Sequence, residues 1–169
     1  MPFELEDIPQ LISWVDSPEL LLLWAGGFFD YPLDQEQCRN YWQTAQGNQS
    51  ARLIFKAVDE FGDSLGHIEL DGFDFENKSV FISRVLVGDL SSRGKGLGQA
   101  IVKQVAEKAF NQLGMHRLAV GVIDSNHKAI RCYENCGFQY EGRYRDLLLV
   151  GGVYYSVVTM SLLQEEWRG

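Results

Sequence analysis

Along the first 46 residues apolar positions recur at helical spacing, and three helices are predicted: Asp7 to Val15, Glu19 to about Ala25, and Asp34 to Ala45. Pro18 suits a first helical turn, and Asp34 suits an N-cap with Gln37 three residues later. Between the helices, Gly26-Gly27-Phe28-Phe29-Asp30-Tyr31-Pro32 reads as an aromatic loop. From Ala51 to Val58 the chain turns apolar and reads as a strand, ending at the turn cluster Asp59 to Asp63. Ser64 to Asp71 alternates, with a bulge expected at Gly66. After a turn across Asp74 to Lys78, Ser79 to Val87 reads as a further strand, so the three form an antiparallel meander.

The period then lengthens. Leu97, Ile101, Val102, Val105, Ala106, Ala109, Phe110 and Leu113 share a helix face, and Gly114 stops the run. A strand from Arg117 to Ile123 follows, then a helix from Asn126 to Asn135 closed by Gly137, and a strand from Phe138 to Tyr144. Two last strands, Leu147 to Val150 and Val153 to Leu163, flank Gly151-Gly152, a hairpin signal. No repeat or linker breaks this order, so residues 1–169 are expected to form a single α+β domain with a mixed sheet.

Composition narrows the classes. A chain of 169 residues with 46% hydrophobic and 22% charged positions can bury a core and is not a disordered segment. A net charge of −8 leaves no basic surplus for phosphates, which argues against nucleic acid and mildly favours cationic substrates such as amines. No window is apolar for long enough to span a membrane, and MPFELEDIPQ lacks the basic start of a secretory leader. A cytoplasmic location is expected. Cys38, Cys132 and Cys136, with His67, His116 and His127, have no metal-ligand spacing, so no metal is expected and the thiols are read as reduced.

The stretch from Val87 to Gly98 carries chemistry. It leads from a strand into a long amphipathic helix, with Gly94, Gly96 and Gly98 baring backbone N–H groups where the helix dipole favours an anion. Arg93 and Lys95 add positive charge. A phosphate loop of the Gly-x-x-x-x-Gly-Lys-Ser/Thr kind is excluded, since Gly88 is one residue too distant and Gly96 replaces the hydroxyl. The dinucleotide fingerprint also fails, because Gly98 comes one position early and the strands before it read as antiparallel. Further on, Asn126, Ala129, Ile130 and Tyr133 share one face of a helix. Tyr133 could protonate a departing thiolate or pack as a core phenol, and Asn126 could touch a ligand or only cap its helix.

Arg93-x-x-Gly96-x-Gly98, a long helix, a strand, and then Asn126, Ala129, Tyr133 and Gly137-Phe138 together resemble the GNAT superfamily of N-acetyltransferases. The likeness is clear from Arg84 to Phe138 and weaker through Glu141-Gly142-Arg143 to Glu166-Trp167, where the chain looks like the branch containing the ribosomal-protein N-terminal (alanine) acetyltransferases. One departure is Ser156 after Tyr155, where that branch often has an acid. The resemblance implies the acyl-CoA N-acyltransferase fold, a largely antiparallel sheet flanked by helices and splayed at the acyl-CoA site. It implies acetyl-CoA as donor and a primary amine, a protein N-terminus or a small amine, as acceptor in direct attack. A non-catalytic acyl-CoA-binding module is the alternative.

The same resemblance implies site residues. Leu86 and Val87 would lie along the pantetheine arm, with the Val87 N–H donating to the carbonyl oxygen. Arg93, Gly94, Lys95, Gly96, Leu97 and Gly98 would hold the pyrophosphate, Asn126 the arm, and Lys128 and Arg131 the ribose phosphate. Tyr133 would be the acid. Glu69, facing away from Ile68 and Leu70, is the candidate base, acting through a water, or else a solvated strand carboxylate. Aromatics from Trp24 to Tyr31 (Trp24, Phe28, Phe29 and Tyr31), with Tyr154 and Tyr155, are candidate substrate contacts or plain core. Asp30, Asp71 and Asp74 could draw a cation. The exposed edge of the terminal hairpin leaves a homodimer open.

Overall fold

The computed structural model describes residues 1–47, 52–88 and 94–169; Ala51, where the first strand was expected to begin, and Arg93 lie outside them. Three short helices, α1 (Ile8–Trp14), α2 (Pro18–Ala25) and α3 (Gln35–Gln43), come first. Strands β1 (Arg52–Val58), β2 (Ser64–Asp74) and β3 (Ser79–Val87) follow, then α4 (Leu97–Glu107), β4 (Arg117–Ile123), α5 (His127–Asn135), β5 (Gln139–Val150) and β6 (Val153–Leu163). Local chemistry sets the helix starts: Ser17 Oγ accepts from Leu20 N–H, and the Asp34 carboxylate accepts from Gln37 N–H at 2.9 Å. The Gln37 side chain reaches back to Asp30 and Pro32 and so ties the aromatic loop to α3.

The six strands form one sheet in the order β1-β2-β3-β4-β6-β5, in which only β3 and β4 run parallel. A core of Ile68, Leu70, Ile82, Leu118 and Met160 is covered by Val102 and Phe110 of the α4 segment. On the other face Leu11, Leu21, Trp24 and Tyr41 of the N-terminal helices pack with Ile54 and Leu86. Each face therefore buries one set of alternating side chains.

Several features differ from the sequence reading, among them the end of β2, which runs on from Asp71 to Asp74. Phe138 to Tyr144 and Leu147 to Val150 are one strand, β5, whose register against β6 slips between Tyr144 and Leu148. Asp146 there has φ +51°, and its N–H donates to Ser156 Oγ at 3.0 Å, so a buried hydroxyl closes the bulge. The long helix relaxes into a π turn over Lys108–Gln112 before Gly114. The bulge expected at Gly66 has Leu65 as its extra residue. Gly66 itself is required for another reason, since a Cβ there would lie 2.5 Å from the Leu86 carbonyl oxygen. Among the described residues no helix is long and apolar enough to cross a membrane.

Candidate active site

β3 and β4 pair only from Ser79–Arg117 to Ile82–Val120. Beyond that point β3 stays with β2 as far as Val87, and β4 stays with β6 as far as Ile123. The parallel neighbours therefore separate and open a cleft of about 790 Å³ in the middle of the sheet. A bulge drives the separation: Ile68 of β2 faces two residues, Arg84 and Val85, between the pairs His67–Leu86 and Glu69–Ser83. Arg84 takes φ +49°, a left-handed conformation that costs a non-glycine residue about 1–3 kcal/mol.

The protein holds that bulge from several directions. The Arg84 carbonyl accepts from Trp24 Nε1–H at 2.9 Å and from His67 Nδ1–H at 2.9 Å. Its guanidinium donates to Glu69 at 2.5 and 2.8 Å and to Asp71 at 3.1 Å, while Phe28 stacks over it with the centroid 4.2 Å away. Tyr41 O–H donates to Glu69 at 2.6 Å, and Arg52 lies 3.1 Å from the same carboxylate. Burial alone would push the Glu69 carboxyl up, but the bonded Arg84 guanidinium, helped by Tyr41 and Arg52, holds it below its ordinary value. Asp71 moves the other way, raised by burial and by the neighbouring Glu69 charge.

Ten of the expected residues line the cleft: Trp24, Leu86, Val87, Gly94, Gly96, Gly98, Asn126, Lys128, Arg131 and Tyr133. Gly96, at φ +85°, caps α4 and offers no side-chain acceptor, so the first-turn N–H groups depend on another partner. A Cβ on Gly94 or Gly96 would meet nothing within 4 Å among the described residues. Lys95 is exposed beside them and Leu97 packs on the core. Asn126 caps α5, its side chain accepting from Ala129 N–H at 3.2 Å, and lines the cleft as well. The capping role of that residue is thus observed, and its place in the cleft wall leaves it within reach of a ligand there.

Tyr133 is 6% exposed and packs edge-on to Phe138, while its hydroxyl has no hydrogen-bond partner among the described residues. Burial, with the neighbouring Cys132 and Cys136, raises it well above the ordinary phenol value, so the phenol keeps its proton. Among the described residues lining the cleft there is no Asp, Glu or His. A splayed sheet edge, a bare helix start and three cations, Lys95, Lys128 and Arg131, fit an extended arm that ends in phosphates.

Other expected residues lie elsewhere. Glu69 is 0% exposed, with both oxygens committed to ion pairs, so the solvated or water-linked carboxylate expected from sequence is not what the fold builds. Phe29 is core, stacked on Trp24 at 5.5 Å. Tyr31 points to the surface and donates to the Asp16 carbonyl, and Tyr154 is 60% exposed at the hairpin. Tyr155 is half-buried opposite Leu148 and does not line the cleft. Asp74 accepts from Asn77 within its own turn, and Asp30 is exposed.

A second cavity of about 560 Å³ adjoins the first and shares Leu23, Trp24, Ser83, Arg84 and Gly121 with it. Its far wall is Leu147 to Val150 of β5. Sequence reading missed this wall and Arg84. The available signal was Ser83-Arg84, two polar residues in succession that break the alternation of an apolar strand.

Comparison with known proteins agrees with this geometry. A putative ribosomal N-acetyltransferase of Bacillus subtilis is 32% identical over 108 residues, 64% of this chain and 58% of that protein, so the chain spans under two thirds of that relative's length. A spermidine N(1)-acetyltransferase of Vibrio cholerae is 25% identical over 71% of this chain and 68% of its own. The ribosomal-protein branch is therefore not singled out. The crystal structure of the Vibrio cholerae spermidine N-acetyltransferase in complex with CoA and spermine superposes with a TM-score of 0.85, covering 98% of this chain and 95% of that one at 20% identity, which establishes the expected fold. The sequence model of the acetyltransferase (GNAT) family matches residues 14–138, a span that contains the splayed strands, the glycine loop and Tyr133. This chain belongs to the acetyltransferase (GNAT) family.

Proposed function

We propose that this protein transfers an acetyl group from acetyl-CoA to a primary amine, a protein N-terminus or a small amine, by direct attack. The observation that carries the reading is Tyr133, its hydroxyl without a partner among the described residues, in the cleft that opens where β3 leaves β4. Acetyl-CoA, when bound, supplies an acyl carbon activated as a thioester. Leu86 and Val87, on the splayed edge, would lie along its arm with the Asn126 amide. Gly94, Lys95, Gly96, Leu97 and Gly98 would hold the pyrophosphate at the start of α4, together with Arg93. Lys128 and Arg131, exposed at the cleft wall, would meet the ribose phosphate. Tyr133, kept protonated by burial, would give its proton to the thiolate as the C–S bond breaks, and the proton shed by the attacking nitrogen would restore the phenol.

No carboxylate lines either cavity among the described residues, so the reaction relies on an amine that reaches its neutral form unaided. An α-amine, with a pKa near ~8, does so far more readily than a Lys side chain near ~10.4. Glu69 is a positioning residue here, fixing Arg84 and with it the bulge. The acceptor enters by the second cavity, which meets the cleft at Trp24, Ser83 and Gly121. Release of free thiol from acetyl-CoA, dependent on an added amine and accompanied by its mass increase, tests the reading. Thiol release unaffected by every amine would leave the non-catalytic module.

A further inference from the structure

The acceptor cavity carries its own chemical signature. Its walls are Leu23, Phe28, Ile123, Leu148, Val150 and Val157, and the polar side chains among its described lining residues are Trp24, Ser83 and Arg84. Each of those three is already engaged. Trp24 Nε1–H donates to the Arg84 carbonyl, Ser83 Oγ–H donates to Asp71 at 3.0 Å, and the Arg84 guanidinium is bonded to Glu69 and Asp71. The acids reached through these residues, Glu69 and Asp71, are themselves paired with Arg84. The apolar wall is closed by a tight approach: Cβ atoms on Gly26 and Gly27 would lie 3.4 Å from Leu148 Cδ1 and 3.2 Å from Val150 Cγ2.

The aliphatic side chains of this cavity offer hydrocarbon to bury beside a comparable share of polar lining, and among the described residues no carboxylate lines it to pair with a second ammonium. A polycation entering it would leave a charge desolvated beside the Arg84 guanidinium. The net charge of −8 attracts cations to the protein as a whole, but this wall does not select them. We infer that the acceptor is a monoamine bearing an apolar substituent, such as an α-amine with an aliphatic or aromatic side chain, and not a polyamine. This rests on the acetyl-transfer reading above.

The test is a set of kcat/KM values on the wild-type protein with leucinamide, glycinamide and spermidine, alongside acetyl-CoA binding followed by thermal shift. Leucinamide against glycinamide reads the apolar wall with the amine held constant; leucinamide against spermidine reads charge. The inference predicts at least tenfold preference for leucinamide in both comparisons. In Leu148→Asp the first preference should shrink and spermidine should gain; the wild-type panel decides even if that variant does not fold. Equal rates with glycinamide, a preference for spermidine, or no turnover of any of the three while acetyl-CoA still binds would each overturn the inference and leave the donor site standing. Failure to bind acetyl-CoA would instead overturn the acetyl-transfer reading, and this inference with it.

Discussion

The indole of Trp24 donates to the main-chain carbonyl of Arg84 at 2.9 Å, joining α2 to the one left-handed residue of β3. Sixty positions separate the two residues in sequence. The contact stabilises the bulge at which β3 leaves β4, so a helix outside the sheet helps set the width of the cleft. Trp24→Phe keeps the ring stacked on Phe29 but removes the donor. A loss of about 1 kcal/mol in urea unfolding is expected, with a raised KM for acetyl-CoA. A stable variant with unchanged KM would show that the bulge does not depend on the Trp24 donor.

Glu69 is expected to matter for stability more than for proton transfer. Glu69→Gln leaves the Arg84 and Arg52 guanidinium groups facing a neutral amide inside the fold. Breaking such a buried pair costs about 3–5 kcal/mol, measurable by denaturant titration. A general base would behave differently: the variant would stay as stable as wild type and lose the acid limb of its kcat/KM profile.

His67 makes the fold sensitive to acid. Burial, opposed by its bond to the Arg84 carbonyl, pushes its imidazole down to about 4. In the unfolded chain the ring titrates near ~6.5, so between these values the unfolded state binds the extra proton. Stability is then complete above about pH 6.5 and declines as pH falls toward 4, by on the order of 3 kcal/mol. Glu69 adds a loss of the same sign at lower pH, because its folded value is depressed. His67→Gln should flatten the slope of unfolding free energy across that window. An unaltered slope would mean that the imidazole titrates alike in the folded and unfolded states.

Tyr133→Phe should lower kcat by about 10²–10⁴ and leave the KM for acetyl-CoA nearly unchanged, since only a terminal hydroxyl is lost. The phenol is raised above its ordinary range, so no basic limb from Tyr133 is expected below about pH 10. Steady-state kinetics across pH checks both points. A variant with wild-type kcat would return Tyr133 to the core.

Much of this was legible from the chain alone. The order of elements followed from apolar period, and the uncapped glycine start of α4 from Gly94, Gly96 and Gly98, because a bare helix start is written in consecutive residues. Elements that depend on partners were not. The slip at Asp146 depends on Ser156 across the hairpin, and it splits the period of what is one strand. The Glu69 environment joins Tyr41, Arg52 and Arg84 from three other elements, so its alternation pattern placed the carboxylate on the right face without showing what covered it. The aromatics divided in the same way: Trp24 and Phe28 reached a cavity, whereas Phe29 filled the core beneath them.

The central claim, that the cleft between β3 and β4 binds acetyl-CoA through the start of α4, is tested most directly by thermal unfolding with and without acetyl-CoA. At about 100 times the dissociation constant the ligand should add roughly 2.7 kcal/mol, a clear rise in Tm. Gly96→Glu should abolish the rise, because it places a carboxylate and a strained left-handed residue, in place of a glycine at φ +85°, where an anion would sit. An equal rise in the variant, or none in the folded wild-type protein, would contradict the account.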